Sequence, residues 1–242
     1  SGWTAFISAC ENGHKGVVQL LLDRSKRIDL NARTKSGRTA FISACENGHK
    51  DVVQLLLYHP KRIELNARNN KGGTALMCAC GMGHKDVVKL LLNHFKRINL
   101  NARSDRGCSA FMFACENGHK DVVQLLLDHS ESSIELNSRD VWKKTPFFIA
   151  CENGHKDVVQ LLLDHSERIE LNARTECGST AFMCACAYQQ KNVVQLLLDH
   201  SDPSIDLNAR NNCGETAHMI ACRSGHQNIV QLIESKVTLA RN

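Results

Sequence analysis

The sequence has little proline, few aromatic residues and no long apolar run, and each shortage argues against a class of protein. The 242 residues include three prolines and fifteen glycines, which argues against a disordered chain. No apolar run reaches the about 18 residues that a membrane-spanning helix needs, and neither a signal-peptide pattern nor an Asn-x-Ser/Thr sequon occurs. We therefore expect an intracellular protein, in the cytoplasm or the nucleus.

Sequence signatures of catalysis are also scarce. No glycine-rich phosphate loop and no paired-carboxylate site occurs. Asp164-His165-Ser166 contains the residue types of a hydrolase triad, but consecutive residues at a helix end point about 100° apart and cannot form an aligned relay. We expect no enzymatic activity.

Two Cys-x-Cys pairs, Cys78-x-Cys80 and Cys184-x-Cys186, raise the question of a zinc site. Residues two apart on a helix lie on opposite sides, so neither pair is well placed to chelate one ion. We expect no metal and no cofactor.

What the chain does contain is a repeat. The stretch Glu152–Arg174 recurs with few changes at Glu11–Arg33, Glu46–Arg68 and Glu116–Arg139, and in altered form elsewhere. A loop glycine fixes the phase at positions 2, 37, 72, 107, 178 and 214, with Lys143 in place of the fifth, giving steps of 35 or 36 residues. The two extra residues fall within 130–133 and 201–204, which predicts tolerant loops there. A fixed period of this length indicates an array of stacked units.

Seven of the twelve cysteines recur once per unit, and they are Cys10, Cys45, Cys80, Cys115, Cys151, Cys186 and Cys222. Equivalent helices in a stack lie about 8–10 Å apart, beyond the about 7 Å between Cα atoms that a disulfide allows. We expect these thiols to be buried as small apolar side chains.

The fifth unit shows the predicted fold of each repeat. Thr145 and Pro146 are typical of a helix start, and Gly154 is typical of the left-handed residue that ends the helix. In the second helix, Val158, Val159, Leu162 and Leu163 share one face, which predicts a buried stripe. An alternating segment, Ile169–Asn172, then leads to the next unit through an extended loop.

The order G-x-T-[AP]-F-x-x-A-C-x-x-G-H-x-x-V-V-x-L-L-L, ending in L-N-A-R, resembles the ankyrin repeat over residues 2 to about 236. The resemblance implies an all-α solenoid of stacked helix-turn-helix pairs with extended inter-repeat loops. It also implies that the Gly-His histidines bond backbone at the turn. Lys143 and Gln189 depart from the pattern by replacing glycines. We predict one array over 1–242, with units at about 1–33, 34–68, 69–103, 104–139, 140–174, 175–210 and 211–242.

The resemblance further implies a protein-binding scaffold or adaptor, which recognises a partner through a concave surface of loop tips and first-helix turns. Residues at those positions vary between units while the frame does not. Large aromatic residues replace small polar ones at Trp142 and Tyr188, and such residues are typical of binding hot spots. We predict that the partner contacts are Trp142, Tyr188, Met82, Phe113, Arg106, Lys144, Arg38 and Lys71. For Phe113, packing between helices is the competing interpretation.

An arginine recurs at the end of six units, at Arg33, Arg68, Arg103, Arg139, Arg174 and Arg210. Two interpretations compete for this arginine ladder. Either each arginine pairs with an acidic residue of a neighbouring unit, or the ladder meets an acidic partner, of which nucleic acid is the weaker form because a net charge of +5 is mild.

Two further alternatives stay open. The near-identity of the second, fourth and fifth units permits an engineered array, although the changes at Lys143 and Gln189 are unsystematic. The other alternative is the repeat region of a larger enzyme or membrane protein. The first unit has no polar cap, which permits a preceding part, whereas Glu234 replaces a frame leucine in the last helix, which is typical of a capped C-terminus. We expect the array to be monomeric.

Overall fold

Each of the seven repeats folds into a pair of antiparallel helices. A computed structural model describes residues 3–24, 28–59, 63–129, 134–200 and 205–239, without the side chains of Arg24 and residues 237–239. The described residues form fourteen α-helices, one 3-10 turn and no strand. The first helices of the pairs are α1 Ala5–Glu11, α3 Ala40–Glu46, α5 Ala75–Gly81, α7 Ala110–Glu116, α9 Pro146–Glu152, α11 Ala181–Ala187 and α13 Ala217–Arg223. The second helices are α2 Lys15–Arg24, α4 Lys50–Tyr58, α6 Lys85–Leu92, α8 Lys120–Leu127, α10 Lys156–Leu163, α12 Lys191–Asp199 and α14 Gln227–Leu239. The 3-10 turn is Ser166–Arg168.

The first helices begin as the sequence predicts. Thr145 lies just before α9, and its hydroxyl accepts a hydrogen bond from the Phe148 amide at 3.2 Å, while Pro146 occupies the first helical position. Pro suits that position because its missing N–H would have no partner there. A Thr or Ser oxygen accepts the equivalent bond in the other six repeats, at Thr4, Thr39, Thr74, Ser109, Thr180 and Thr216.

The second helices bury the predicted stripe. In α10, Val158, Val159, Leu162 and Leu163 are buried, whereas the polar residues on the opposite face are exposed. Leu161, which the sequence did not place in the stripe, is buried as well. After α10 the residues Ile169 and Leu171 are buried between exposed neighbours, so the predicted alternation is confirmed, although the backbone closes a turn at Leu171–Asn172.

The chain divides into two compact units, Ser1–Ala114 with Asp121–Glu135, and Cys115–Lys120 with Leu136–Asn242. Within the first unit, α1, α3 and α5 form one row and α2, α4 and α6 another. Within the second unit, α9, α11 and α13 form one row and α10, α12 and α14 another. The tolerant loops predicted at 130–133 and 201–204 lie outside the described residues.

Six of the seven frame cysteines are buried, as predicted. Burial raises the pKa of the Cys10 and Cys186 thiols to about 12, since a thiolate would lose its hydration there. The prediction is wrong for Cys222, which is exposed. Among the described helices, α13 packs against α11 and α14, whereas α11 packs between α9 and α13 of its row.

Candidate functional site

The loop tips before the first helices are tied to one another by backbone hydrogen bonds. In the second unit, the Glu176 amide donates to the Trp142 carbonyl at 3.1 Å, and the Asn212 amide donates to the Cys177 carbonyl at 3.1 Å. The fifth tip is also closed on itself, since Asp140 Oδ1 accepts from the amides of Trp142 at 2.9 Å and Lys144 at 2.8 Å. The side chain at the tip is therefore presented from a fixed backbone.

Trp142 and Tyr188 line the same groove. Their side chains are 45% and 61% exposed, which is unusual for residues of this size. The groove has a volume of about 600 Å³ and also contains Lys144. It is lined by Trp142, Lys144, Phe148, Glu152, Thr175, Glu176, Cys177, Ser179, Met183, Cys184, Ala187, Tyr188, Asn211, Ile220 and Arg223. Three of the eight predicted contact residues are thus brought together.

Lys144 is held rigidly at one side of this groove. Its Nζ lies 2.7 and 2.8 Å from the two carboxylate oxygens of Glu152, and 5.9 and 5.6 Å from the ring centres of Trp142 and Phe148. Burial alone would lower the pKa of Lys144, but the hydrogen bond and charge of Glu152 outweigh it and raise that pKa. Lys144 is accordingly a cation paired inside the protein.

A second ion pair lies at the other end of the groove, where Arg223 Nη1 is 2.8 Å from Glu215 Oε1. Glu215 and Arg223 occupy the same repeat positions as Lys144 and Glu152, with the charges exchanged. In the first unit, Arg38 and Glu46 fill these positions with their charged atoms 3.0 Å apart. The eight-residue spacing of opposite charges is the sequence signal that could have identified Glu152 and Arg223 as site residues.

Two cysteines line the groove, and the pKa values of their thiols are shifted in opposite directions. The exposed Cys177 has its Sγ 3.2 Å from Thr175 Oγ1 and 3.3 Å from Ser179 Oγ, and hydrogen bonds from Ser179 and Thr175 lower the pKa of its thiol. Burial, reinforced by the negative charge of Glu152, raises the pKa of Cys184. Cys177 is therefore the more nucleophilic of the two thiols.

The other five predicted contact residues lie in the first unit. Met82, Lys71 and Arg106 are exposed, whereas Phe113 and Arg38 are partly buried. The Asp105 amide donates to the Lys71 carbonyl at 3.1 Å, which places the tips that carry Lys71 and Arg106 side by side.

The Gly-His histidines link successive repeats. The ring Nε2 of His49, His84 and His155 donates to the backbone carbonyl that ends the preceding first helix, at 2.7, 2.9 and 2.8 Å. In the sixth repeat the side-chain amide of Gln190 makes the same bond, to Glu152 O at 2.9 Å. These hydrogen bonds from a side chain to a backbone carbonyl connect neighbouring repeats, which the sequence pattern did not reveal.

The arginine ladder is engaged within the array. Arg139 pairs with Glu170 of the next repeat at 2.8 Å, and Arg103 pairs with Glu135 at 2.5 Å. Arg174 donates to the Arg210 carbonyl. These contacts favour the first of the two interpretations, in which the ladder joins repeats.

A ladder of loop asparagines runs alongside, and the sequence did not indicate it. Asn137 Oδ1 accepts from the Glu170 amide and Asn172 Oδ1 accepts from the Asp206 amide, both at 2.9 Å. Two depressions lie over equivalent inter-repeat loops. One, of about 730 Å³, is lined by Arg139 and by residues between 166 and 174. The other, of about 640 Å³, is lined by Arg33, residues 63–68 and Arg97. Because frame residues shared by the repeats line both, we assign them to the scaffold.

The constellations with catalytic residue types do not assemble. His165 Nδ1 bonds to the Leu161 carbonyl at 2.9 Å instead of facing Ser166. On α13, Cys222 Sγ lies 3.8 and 3.9 Å from the two ring nitrogens of His218, so it sits beside the ring and not in line with either nitrogen. No group of three or more metal-ligating side chains occurs within the described ranges.

Comparison with known proteins agrees with this geometry, which defines a helical repeat protein with an exposed groove. The family profile "Ankyrin repeats (3 copies)" matches residues 1–69, 61–140, 96–175, 132–210 and 167–240. The chain belongs to the ankyrin repeat family. Ankyrin repeats are generally protein–protein interaction modules and are not typically enzymes.

A solved structure supports the fold. The crystal structure of the ankyrin repeat domain of Bcl-3, described as a unique member of the IkappaB protein family, is similar to this chain with a TM-score of 0.77. The identity is 24%, over 97% of this chain and 99% of that one. The predicted all-α ankyrin-repeat fold is confirmed. No curated protein matches the chain. None of the helices in the described part of the chain is both long and apolar enough to cross a membrane.

Proposed function

We propose that this protein is a non-catalytic scaffold or adaptor that binds a partner protein through the groove of Trp142 and Tyr188. The observation that carries the proposal is the exposure of two large aromatic side chains on one groove whose backbone and ion pairs are fixed internally. Exposed aromatic residues with a rigid support are typical of interface hot spots. The remaining predicted contacts, Met82, Phe113, Arg106, Arg38 and Lys71, stay a prediction.

We also propose that the protein acts inside the cell. All twelve cysteines are free thiols, including the exposed Cys177, Cys213 and Cys222. Free thiols in this number are typical of a reducing compartment. Nucleic acid is a poorer partner than protein because the ladder arginines are already paired or bonded to carbonyls.

The chain offers a closely matched control for testing the groove. Trp3 is 45% exposed, the same as Trp142, and Tyr58 is 66% exposed, close to Tyr188. Neither Trp3 nor Tyr58 lines the groove. A Trp142→Ala, Tyr188→Ala variant and a Trp3→Ala, Tyr58→Ala variant therefore remove the same chemistry from different places.

The experiment is quantitative affinity capture from a cell lysate with wild-type protein and both variants, after circular dichroism has shown equal helix content. We expect proteins captured by wild type to be retained by the control and depleted at least about tenfold by the groove variant, since hot-spot residues contribute about 2 kcal/mol or more. Equal capture by both variants would show that the partner binds elsewhere.

A further inference from the structure

Resting on this proposed function, we propose that the groove accepts an uncharged, apolar side chain from a peptide segment of the partner, and that the charge of the segment contributes little to binding. The sequence predicted the basic residues Lys144 and Arg106 as partner contacts together with the aromatic residues. In the structure Lys144 is neutralised, and Arg106 belongs to the first unit.

The charges around the groove are already satisfied. Both carboxylate oxygens of Glu152 bond to Lys144, and Glu215 bonds to Arg223. A partner carboxylate would have to compete with Glu152 for Lys144, whose side chain is 26% exposed. Arg223 is also paired, but its side chain is 67% exposed, so a variant without the charges of this pair measures its contribution. Glu176 is exposed at the rim, where a single ion pair adds little affinity.

Most of the lining surface between the ion pairs is apolar, although Thr175, Ser179 and Asn211 also contribute. Phe148, Met183 and Ile220 are buried side chains that also form part of the groove wall. With Trp142 and Tyr188 exposed at the rim, an entering apolar side chain would remove aromatic and aliphatic surface from water. The volume of about 600 Å³ falls within the about 300–1,000 Å³ typical of ligand sites.

The repeats themselves show that this surface is specific to the fifth and sixth tips. The position of Trp142 is filled by Ser36, Lys71 and Arg106 in the three preceding tips. Those tips are polar or basic, whereas the groove combines an aromatic rim with internally neutralised charges. Charge complementarity at the groove therefore favours a neutral occupant.

A library of random linear peptides displayed on phage tests this inference. Wild-type protein is the selecting target, and peptides that also bind the Trp142→Ala, Tyr188→Ala variant are discarded. We expect the remaining peptides to share a large apolar residue without enrichment of acidic or basic residues over the unselected library. Their affinity, measured by fluorescence anisotropy, should change by less than about threefold between about 50 mM and about 500 mM sodium chloride, because salt screens only charge interactions.

A variant without the charges of the second ion pair distinguishes a neutral peptide segment from an acidic one by its effect on affinity. Glu215→Gln with Arg223→Gln removes the more exposed pair and leaves the apolar lining intact. We expect the selected peptides to bind it within about threefold of wild type, whereas an acidic occupant would lose about tenfold or more with the guanidinium.

The two proposals fail differently. Groove-dependent peptides that are acidic, weaken with salt and require Arg223 would overturn the neutral occupant while leaving the groove as the binding site. A selection that enriches no groove-dependent peptide also counts against the neutral occupant, and the affinity capture then decides whether the groove binds a protein at all.

Discussion

Lys143 and Gln189 adopt a backbone conformation that the other repeats assign to glycine. Their φ angles are 61° and 57°, and in the described chain they are the non-glycine residues with positive φ. Both residues replace a glycine of the repeat pattern. A side chain in this region costs about 1 kcal/mol or more relative to glycine.

We expect Lys143→Gly to stabilise the protein by up to about 1 kcal/mol, since relief of the left-handed strain outweighs the added flexibility of the unfolded chain. Urea denaturation measures the change in the free energy of unfolding. Lys143→Ala keeps the strain and is the matched control, so an equal gain from both substitutions would contradict the explanation.

Cys177 should be the most reactive thiol of the protein near neutral pH. Hydrogen bonds from Ser179 and Thr175 lower its pKa, so a larger fraction is thiolate at a given pH. We expect iodoacetamide to label Cys177 faster than the exposed Cys213, and the difference to shrink as the pH rises past the ordinary thiol pKa. Peptide mass spectrometry after timed labelling measures both rates, and a Thr175→Val, Ser179→Ala variant should lose the difference.

At the scale of the helix pair, the turn between helices combines a left-handed residue with a close contact from the next repeat. Gly118 and Gly225 both have φ of 71°. A Cβ on Gly118 would lie 2.5 Å from the ring of His155, whereas a Cβ on Gly225 would meet nothing within 4 Å. Alanine substitutions at the two glycines therefore distinguish the cost of backbone strain from the cost of a steric clash with the next repeat.

We expect Gly225→Ala to destabilise the protein by about 1 kcal/mol through strain alone. Gly118→Ala should cost about 2–4 kcal/mol, because the ring of His155 must move and its hydrogen bond to the Glu116 carbonyl is lost. Thermal or urea denaturation compares the two. Equal decreases in the free energy of unfolding would mean that the contact between Gly118 and His155 does not contribute to stability.

The ion pair between the tip and the end of the first helix should tolerate reversal. Glu215 and Arg223 already show the exchanged arrangement at the positions of Lys144 and Glu152. We expect Lys144→Glu or Glu152→Lys alone to cost about 1–3 kcal/mol, since each places like charges together in a partly buried site.

The double exchange should recover most of that loss, to within about 1 kcal/mol of wild type. A double-mutant cycle by urea denaturation measures the coupling between the two side chains. Additive losses would show that the geometry at residues 144 and 152 cannot accept the reversed order.

At the scale of the whole molecule, stability depends on contacts between neighbouring repeats. Helix α10 packs against α9 and α12, and Leu162 is fully buried there. We expect Leu162→Ala to cost about 2–5 kcal/mol. Leu20→Ala, at an exposed leucine, should change the free energy of unfolding by less than about 0.5 kcal/mol. Hydrogen exchange should show α9 and α12 losing protection along with α10, and loss confined to α10 would contradict coupling between repeats.

The sequence predicted the scaffold better than the site, for a physical reason. The Thr145 cap, the buried stripe of α10 and the left-handed Gln189 depend on residues close in sequence, and repetition made each visible several times. The bond from Gln190 to Glu152 and the contact between Arg139 and Glu170 join residues more than thirty positions apart. Such contacts depend on how one repeat stacks on the next.

The groove was predicted in part for the same reason. Trp142, Lys144 and Tyr188 stood out because they interrupt the repeat pattern. Glu152 was not identified because glutamate recurs at this position in four repeats, and Cys184 was considered only as part of a Cys-x-Cys pair. Only the folded stack brings the two side chains near Lys144. Cys222 was misassigned because the repeat pattern does not show that, among the described helices, α13 has a neighbour of its row on one side.

The amide-to-carbonyl bonds between tips use the backbone of the residue that carries the variable side chain, and the side chains of Asn70 and Asn212 add bonds to the carbonyls of Lys35 and Glu176. The carbonyls of Ser36, Lys71, Trp142 and Cys177 each accept an amide of the next tip, whatever side chain stands there. A substitution at one tip can therefore change the exposed surface without removing the hydrogen bonds that join the tips. Moving the tryptophan from position 142 to position 177 would therefore move the exposed aromatic side chain to the next tip while leaving these hydrogen bonds in place.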